Sequence, residues 1–284
     1  MRILVTGAGG QVGREFVELC GTKGDDVIAA GHAELDVTDR DAVLQACSCA
    51  RPDVVVHAGA WTAVDACESD PDRAYRVNAI GVRHIVEGAR RAGAHLIYLS
   101  TDYVFDGTKA TPYDEWDVPA PASVYGRSKW AGEREVARGS DGQATVVRIS
   151  WVCGRLGNNM VKTLLRLAAE GAAPSFVDDQ RGHPTIVSDL VPVLRRFAAE
   201  RRPGLFHVTN QGTVSWFDFA RETFRVAGAD PERVSPISTE QLDPPRPAPR
   251  PANSVLDNAA LRLAGLPLLP DFRESLPGLV RSLS

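Results

Sequence analysis

Tyr125 and Lys129 stand four residues apart in the run Tyr125-Gly126-Arg127-Ser128-Lys129. On a helix that spacing puts both side chains on one face. A free phenol ionises near pH ~10, too high for easy proton exchange at neutral pH. A neighbouring ammonium favours the phenolate and lowers that value. The pair is therefore a candidate proton donor with its tuning group. Tyr-x-x-x-Lys alone recurs by chance, so a third group decides. Ser100 and Thr101 close the apolar run His95–Leu99. A hydroxyl at the carboxyl end of a parallel strand can donate to a substrate carbonyl and polarise it for hydride attack.

The hydride would come from a dinucleotide. Gly7, Gly10 and Gly13 follow the strand-like run Arg2–Val5 and open a helical stretch. Glycines there let the backbone turn tightly and approach a pyrophosphate, and the helix N-terminus offers free N–H groups. An NAD-selective fold usually carries an acid at the end of the second strand. Here that region reads Ala29-Ala30-Gly31-His32, with neither an acid nor an arginine for a 2′-phosphate. NADH and NADPH both stay open, with His32 tilting the balance slightly to NADPH. Asp36 and Val37 follow closely. They either flank the adenine, or Asp36 caps the next helix.

Positioning these groups requires alternating strands and helices. Apolar runs at Arg2–Val5, Val27–Ala30, Val54–Val56, His95–Leu99 and Ala144–Ile149 alternate with helical stretches at Val12–Leu19, Asp39–Ala50 and Asp72–Ala92. Continuous apolar strands between helices make a parallel sheet covered on both faces. The expected fold is α/β, a Rossmann-type doubly wound parallel sheet with a smaller C-terminal substrate-binding domain. Residues 1–150 would bind NAD(P). Residues 151–284 would mainly bind substrate, some segments returning to the first domain. Beyond the helix Met160–Glu170 the sequence reads as loops rich in Gly, Pro and polar residues. Leu242–Ser254 holds five prolines in thirteen residues, a disordered linker or an ordered binding loop.

The bulk composition excludes several classes. A net charge of −4 without a basic run gives nucleic-acid binding no electrostatic support. No apolar run approaches the ~20 residues of a membrane span. The first strand starts at residue 2, too early for a signal peptide, which points to the cytoplasm. Five cysteines without a C-x-x-C pair argue against disulfides or zinc, and no metal ligand set is expected.

Longer motifs narrow the reading. These are Ala58–Asp65 (AGAWTAVD) with Glu68, Ser100–Gly107 (STDYVFDG) and Tyr125–Glu133 (YGRSKWAGE). Further on come Arg148–Val152 (RISWV), Gly157–Thr163, Asp179–Thr185 (DQRGHPT) and Arg250–Ser254 (RPANS). Over nearly its whole length the chain resembles the dTDP-4-dehydrorhamnose reductases, extended short-chain dehydrogenase/reductases of the RmlD type. That resemblance implies reduction of dTDP-4-dehydro-6-deoxy-L-mannose to dTDP-L-rhamnose, or of a related dTDP-4-keto-6-deoxy sugar. It makes Thr101, Tyr125 and Lys129 the catalytic trio. It puts Gly10, Gln11, Val12, Asp36, Val37, Ala60, Trp61 and Thr62 on the cofactor, beside Gly7, Gly13, Tyr125 and Lys129. Thr101, Asp102 and Trp151 would face the sugar, Trp151 having the alternative of a core aromatic. Arg250 and Asn253 would hold the nucleotide, the guanidinium suiting a phosphate. Some members form homodimers bridged by magnesium. Glu15 is a candidate ligand there, against the plainer reading of a surface glutamate. Trp61 and Cys153 depart from common family residues.

Two alternatives accompany this reading. A dehydratase or epimerase shares the fold, but dehydratases resemble a Thr-Asp-Glu run, and here Tyr103 follows Asp102. A cofactor-binding regulatory subunit predicts a damaged trio, whereas all three residues are present.

Overall fold

The buried residues of the central strands alternate between two apolar layers, and that alternation sets the architecture. The computed structural model describes residues 1–283. Strands β1 (Arg2–Thr6), β2 (Asp26–Ala30), β3 (Val54–His57), β4 (His95–Thr101) and β5 (Ala144–Ile149) join a sixth strand, Gly204–His207. All are parallel, in the order Gly204–His207, β5, β4, β3, β1, β2. Ile3, Val5, Val54, Val56, Ile97 and Leu99 bury into one layer with Val12 and Phe16 of α1 (Gln11–Thr22). Leu4, Val55, Leu96 and Tyr98 point the other way, onto Val43 of α2 (Arg40–Ala50) and Ile85 and Val86 of α5 (Gly81–Ala92). The chain leaves β1 toward one face and β3 toward the other, so a crevice opens between them at the carboxyl edge.

The structure revises one stretch of the sequence reading and refines two others. Asp72–Ala92 is helical throughout, but a π-helical turn, Arg76–Ile80, interrupts it between α4 (Pro71–Tyr75) and α5, and a short helix, α3 (Val64–Ser69), precedes it. The stretch beyond Met160–Glu170 is largely regular. It holds α8 (Val187–Glu200) and the sixth sheet strand, then α9 (Trp216–Val226), α10 (Ala259–Leu263) and α11 (Phe272–Leu283). Pro192 lies inside α8 and disguises it, yet Leu190, Val191, Leu194 and Phe197 keep helical spacing and pack with Phe16 of α1. The proline-rich stretch is ordered: Arg181 N–H donates to the Ala252 carbonyl (2.8 Å) and Ser254 N–H to the Arg181 carbonyl (2.8 Å).

A further core gathers Phe219, Phe224, Phe272 and Leu276 from α9 and α11 with Val161 and Leu164 of α7 (Met160–Ala169). Among the described residues no helix is long and apolar enough to cross a membrane.

Candidate active site

The loop after β1 sits hard against the loop after β3. Gly7 takes a φ of +72°, and a Cβ there would lie 2.3 Å from the Gly59 amide nitrogen. Only glycine fits both the conformation and the contact. Gly10 caps α1, and Gly13 packs on the Gly7 carbonyl, which a Cβ would meet at 2.4 Å. The first amides of α1 thus open into the crevice without side chains in front of them. Gly7→Ala is expected to weaken dinucleotide binding by roughly tenfold or more, because the left-handed strain alone costs ~1–2 kcal/mol before the clash is counted. Calorimetry reads this; a folded variant with unchanged affinity contradicts it.

Two cavities meet at this loop. The first, about 450 Å³, is lined by Gly7, Gly9, Gly10, His32, Val37, Ala60, Trp61 and Arg73. Its glycine floor leaves the backbone open to close approach by a ligand. Asp36 does not line it; its carboxylate accepts from the Thr38 amide (2.9 Å) and hydroxyl (2.8 Å), an Asx turn ahead of α2. Glu34 is an acid that local spacing did not reveal. Its Oε2 accepts from the Gly31 amide (2.8 Å) and so returns to the end of β2. Trp61 is held through its backbone. Its amide donates to Asn78 Oδ1 (2.8 Å), and Asn78 Nδ2 donates to the Trp61 carbonyl (3.1 Å) and to Ser128 Oγ (3.0 Å). Asn78 is fully buried in the π-helical turn and ties the Ala60–Thr62 loop to the Tyr125 helix.

The second cavity, about 540 Å³, is lined by Gln11, Val12, Thr62, Thr101, Asp102, Tyr125, Lys129 and Trp151 among others. Helix α6 (Val124–Gly139) delivers Tyr125 and Lys129 from one face. It begins at Ser123, whose Oγ accepts from the Gly126 amide (3.1 Å), and Glu68 accepts from the Val124 amide (2.7 Å). The Thr101 hydroxyl at the end of β4 contacts the Tyr125 phenol. Burial pushes that phenol well above its ordinary value, with the Thr101 contact working against the rise. This corrects the expectation that Lys129 lowers it. Lys129 Nζ instead donates to the Leu99 carbonyl (2.7 Å) and lies 4.3 Å from the Tyr98 ring. Burial pushes the ammonium down to about 7. The phenol is therefore a stable acid at neutral pH, suited to giving a proton.

Thr101 Oγ1 donates to Asp102 Oδ1 (2.9 Å) and accepts from the Tyr103 amide (3.2 Å). Its single hydrogen is engaged, so polarising a substrate oxygen requires turning the hydroxyl. Asp102 is fully buried, and burial raises its carboxyl to about 6.

Trp151 lines the larger cavity with a left-handed φ of 43°, a strained backbone of the kind found at functional sites. Its ring stacks on Trp216 at 3.6 Å and 10°. Trp216, the first residue of α9, lines the same cavity and carried no sequence signal. Beyond the stack lie Arg250, Gln180 and Ser254. Arg250 is bidentate on Asp65 (3.0 and 2.7 Å), which also accepts from the Ala248 amide (3.1 Å). Asn253 does not face either cavity. Its Nδ2 donates to the carbonyls of Lys109 (2.7 Å) and Thr111 (3.1 Å), stitching the Lys109–Thr111 loop to the proline-rich stretch. Glu15 is no surface residue: it is 8% exposed, and its Oε1 accepts from the Arg155 amide (2.6 Å). Gln11 likewise takes the Gly154 amide (3.0 Å) and Asn159 Nδ2 (2.9 Å), so α1 grips the Gly154–Asn159 segment over the crevice. Among the described residues no group of three or more His, Cys, Asp or Glu side chains converges as a metal site.

The family model described as the RmlD substrate binding domain matches residues 1–284. A probable dTDP-4,6-dihydroxy-2-methyloxan-3-one 4-ketoreductase of Streptomyces antibioticus is 45% identical over 280 residues, 97% of this chain and 93% of that one. A dTDP-4-dehydrorhamnose reductase of Streptomyces griseus is 44% identical over 97% of this chain and 91% of its own length. The crystal structure of dTDP-4-dehydrorhamnose reductase from Bacillus anthracis in complex with NADP superposes with a TM-score of 0.94 at 38% identity, covering 99% of this chain and 98% of that one.

Proposed function

The chain belongs to the RmlD substrate binding domain family, and from that membership we propose that it is an NAD(P)-dependent oxidoreductase that reduces the 4-keto group of a dTDP-linked 6-deoxy sugar. The first candidate reaction is dTDP-4-dehydro-6-deoxy-L-mannose to dTDP-L-rhamnose. The two streptomycete relatives differ in the sugar they are named for and agree in a dTDP-linked substrate. The observation that carries the reading is the meeting of Thr101, Tyr125 and Lys129 in one cavity beneath the glycine loop.

When bound, a nicotinamide cofactor would supply the hydride that reduces the sugar C4 carbonyl. Residues 1–150 mainly hold it, through Gly7, Gly10, Val12, Val37, Ala60, Trp61 and Thr62, with Lys129 on the nicotinamide ribose. Two features pull in opposite directions on the form of the cofactor: Arg73 and His32 line the adenosine cavity and suit a 2′-phosphate, whereas Glu34 returns an acid to the end of β2 and suits a free ribose hydroxyl, so NADPH and NADH are both tested. Tyr125 gives its proton to the oxygen as the hydride arrives. Thr101 holds the phenol and, once its hydroxyl turns from Asp102, donates to the same oxygen. Residues 151–284 mainly bind the rest of the substrate, the sugar against Trp151 and Trp216 and the diphosphate toward Arg250.

Such a remote handle contributes to positioning as well as to affinity. The free keto sugar is therefore expected to react with a kcat/KM roughly 10²-fold or more below that of the dTDP form, since each charged hydrogen bond to phosphate contributes ~1.5–3 kcal/mol. Equal values for both would remove Arg250 from the nucleotide site. The direct test of function is incubation with dTDP-4-keto-L-rhamnose and each nicotinamide cofactor. NMR should identify a 6-deoxyhexose with a new C4 hydroxyl, and an unreacted ketone with both cofactors would refute the reading.

A further inference from the structure

Four consecutive residues of β4 are keyed to one stripe of α6. Tyr98 Oη donates to the Lys129 carbonyl (3.3 Å), Lys129 Nζ to the Leu99 carbonyl (2.7 Å) and Ser100 Oγ to Glu133 Oε1 (2.5 Å). Thr101 meets the Tyr125 phenol. Tyr125, Lys129 and Glu133 recur every four residues, so they form one row along the helix. Glu133 is 8% exposed, and its remaining contacts come from Arg148 on β5, Nε to Oε1 (2.9 Å) and Nη2 to Oε2 (2.7 Å). Arg148 is 2% exposed and lies opposite Ser100 in the sheet register. Its Nη1 sits 3.3 Å from His207 Nε2, and its guanidinium 5.0 Å from the Phe105 ring.

A buried ion pair is a poor source of stability, because desolvation offsets most of the attraction and an apolar pair of equal volume serves as well. Its place directly behind the trio suggests another use. We propose that Glu133, clamped by Arg148, is a positioning residue for the reduction, acting through Ser100 and Lys129 and touching neither sugar nor cofactor. The inference rests on the ketoreductase reading above.

It acts in two ways. Through Ser100 it fixes the end of β4 against α6, and with it the register of Thr101 against Tyr125. Its charge also supports the Lys129 ammonium, which burial alone would push down further. The other groups around Lys129 supply no counter-charge. They are the Leu99 carbonyl, the Tyr98 ring and, stacked on that ring, His57 of β3. Burial holds His57 neutral, down at about 3. The phenol of Tyr125 is protonated, and Arg148 is positive and paired to Glu133.

The test follows the NADPH dissociation constant and the steady-state constants across pH. Lys129 binds and acts as an ammonium, so affinity and turnover fall as pH rises through its titration. Glu133→Gln should move that alkaline fall down by about one pH unit, a roughly tenfold change, while Glu133→Asp keeps it in place. Ser100→Ala should lower kcat several-fold with KM and the alkaline fall unchanged. Glu133→Gln strands the Arg148 charge and can unfold the chain. The double variant Glu133→Gln with Arg148→Met removes both charges and should show the same shift. A folded variant whose melting point changes while its alkaline fall stays at the wild-type pH would overturn the proposal, leaving Glu133 a purely structural residue. If wild type failed to reduce any dTDP-4-keto sugar, the ketoreductase reading would fall. NADPH binding against pH would still decide the role of Glu133.

Discussion

Tyr125→Phe is expected to cut turnover by ~10²–10⁴-fold, the usual contribution of a general acid, while cofactor affinity stays within about twofold. The ring would remain in place, since it packs edge-on against Tyr103 at 5.5 Å and α6 keeps its Ser123 and Glu68 caps. Lys129 and the glycine loop are untouched. Only the proton is lost. Burial keeps the phenol protonated across the neutral range, so the alkaline fall of the wild type should report Lys129 and not Tyr125. Steady-state kinetics with cofactor titration measure both quantities. Near-normal turnover would mean that the proton comes from elsewhere.

Lys129→Met should lower both turnover and cofactor affinity, and it should also stabilise the fold at low pH. A lysine ordinarily titrates near 10.5, and Lys129 is pushed by burial down to about 7. Between those values the unfolded chain binds a proton that the folded chain does not, so wild-type stability rises with pH there. The penalty of the buried ammonium is complete below about 7 and fades toward 10.5. Methionine fills the same space without the charge. The gain of the variant over wild type should therefore be on the order of a few kcal/mol at pH 6 and shrink by pH 9. Urea unfolding at the two pH values decides this. An equal difference at both would mean that the Lys129 charge carries no such penalty.

How much of this was legible in the sequence follows from the range of each signal. Four of the five strands from Arg2 to Ile149 are buried, mostly apolar runs, which a parallel sheet covered on both faces needs, and β2 is a partly exposed edge strand. Helix α8 was hidden by Pro192, whose cost is met because six residues of the helix are buried around it. The trio was readable because its geometry is local: four residues along α6, and one strand end. What was missed depends on contacts across long separations. Asp65 and Arg250 are 185 residues apart, and Gln11 and Asn159 are 148. Asn78 and Trp216 carry no local pattern that marks them, and only the fold brings them to the site. Glu34 lies four residues beyond the end of β2, so local spacing does not mark it, and only the fold of the loop brings its carboxylate back to Gly31. The direction of the Lys129 ammonium was also beyond reach. Helical spacing fixes the face but not whether the side chain meets the phenol or the Leu99 carbonyl.

The central claim is that this cavity passes a hydride to the C4 carbonyl of a dTDP-linked deoxysugar while Tyr125 supplies the proton. The most direct measurement uses NADPH deuterated at the transferring position of nicotinamide C4, with dTDP-4-keto-L-rhamnose in ordinary water. Proton and deuterium NMR of the product should show one deuterium at C4 of the sugar, in a single configuration, and none at C3 or C5. Product without deuterium at C4, or label at a neighbouring carbon, would contradict the account.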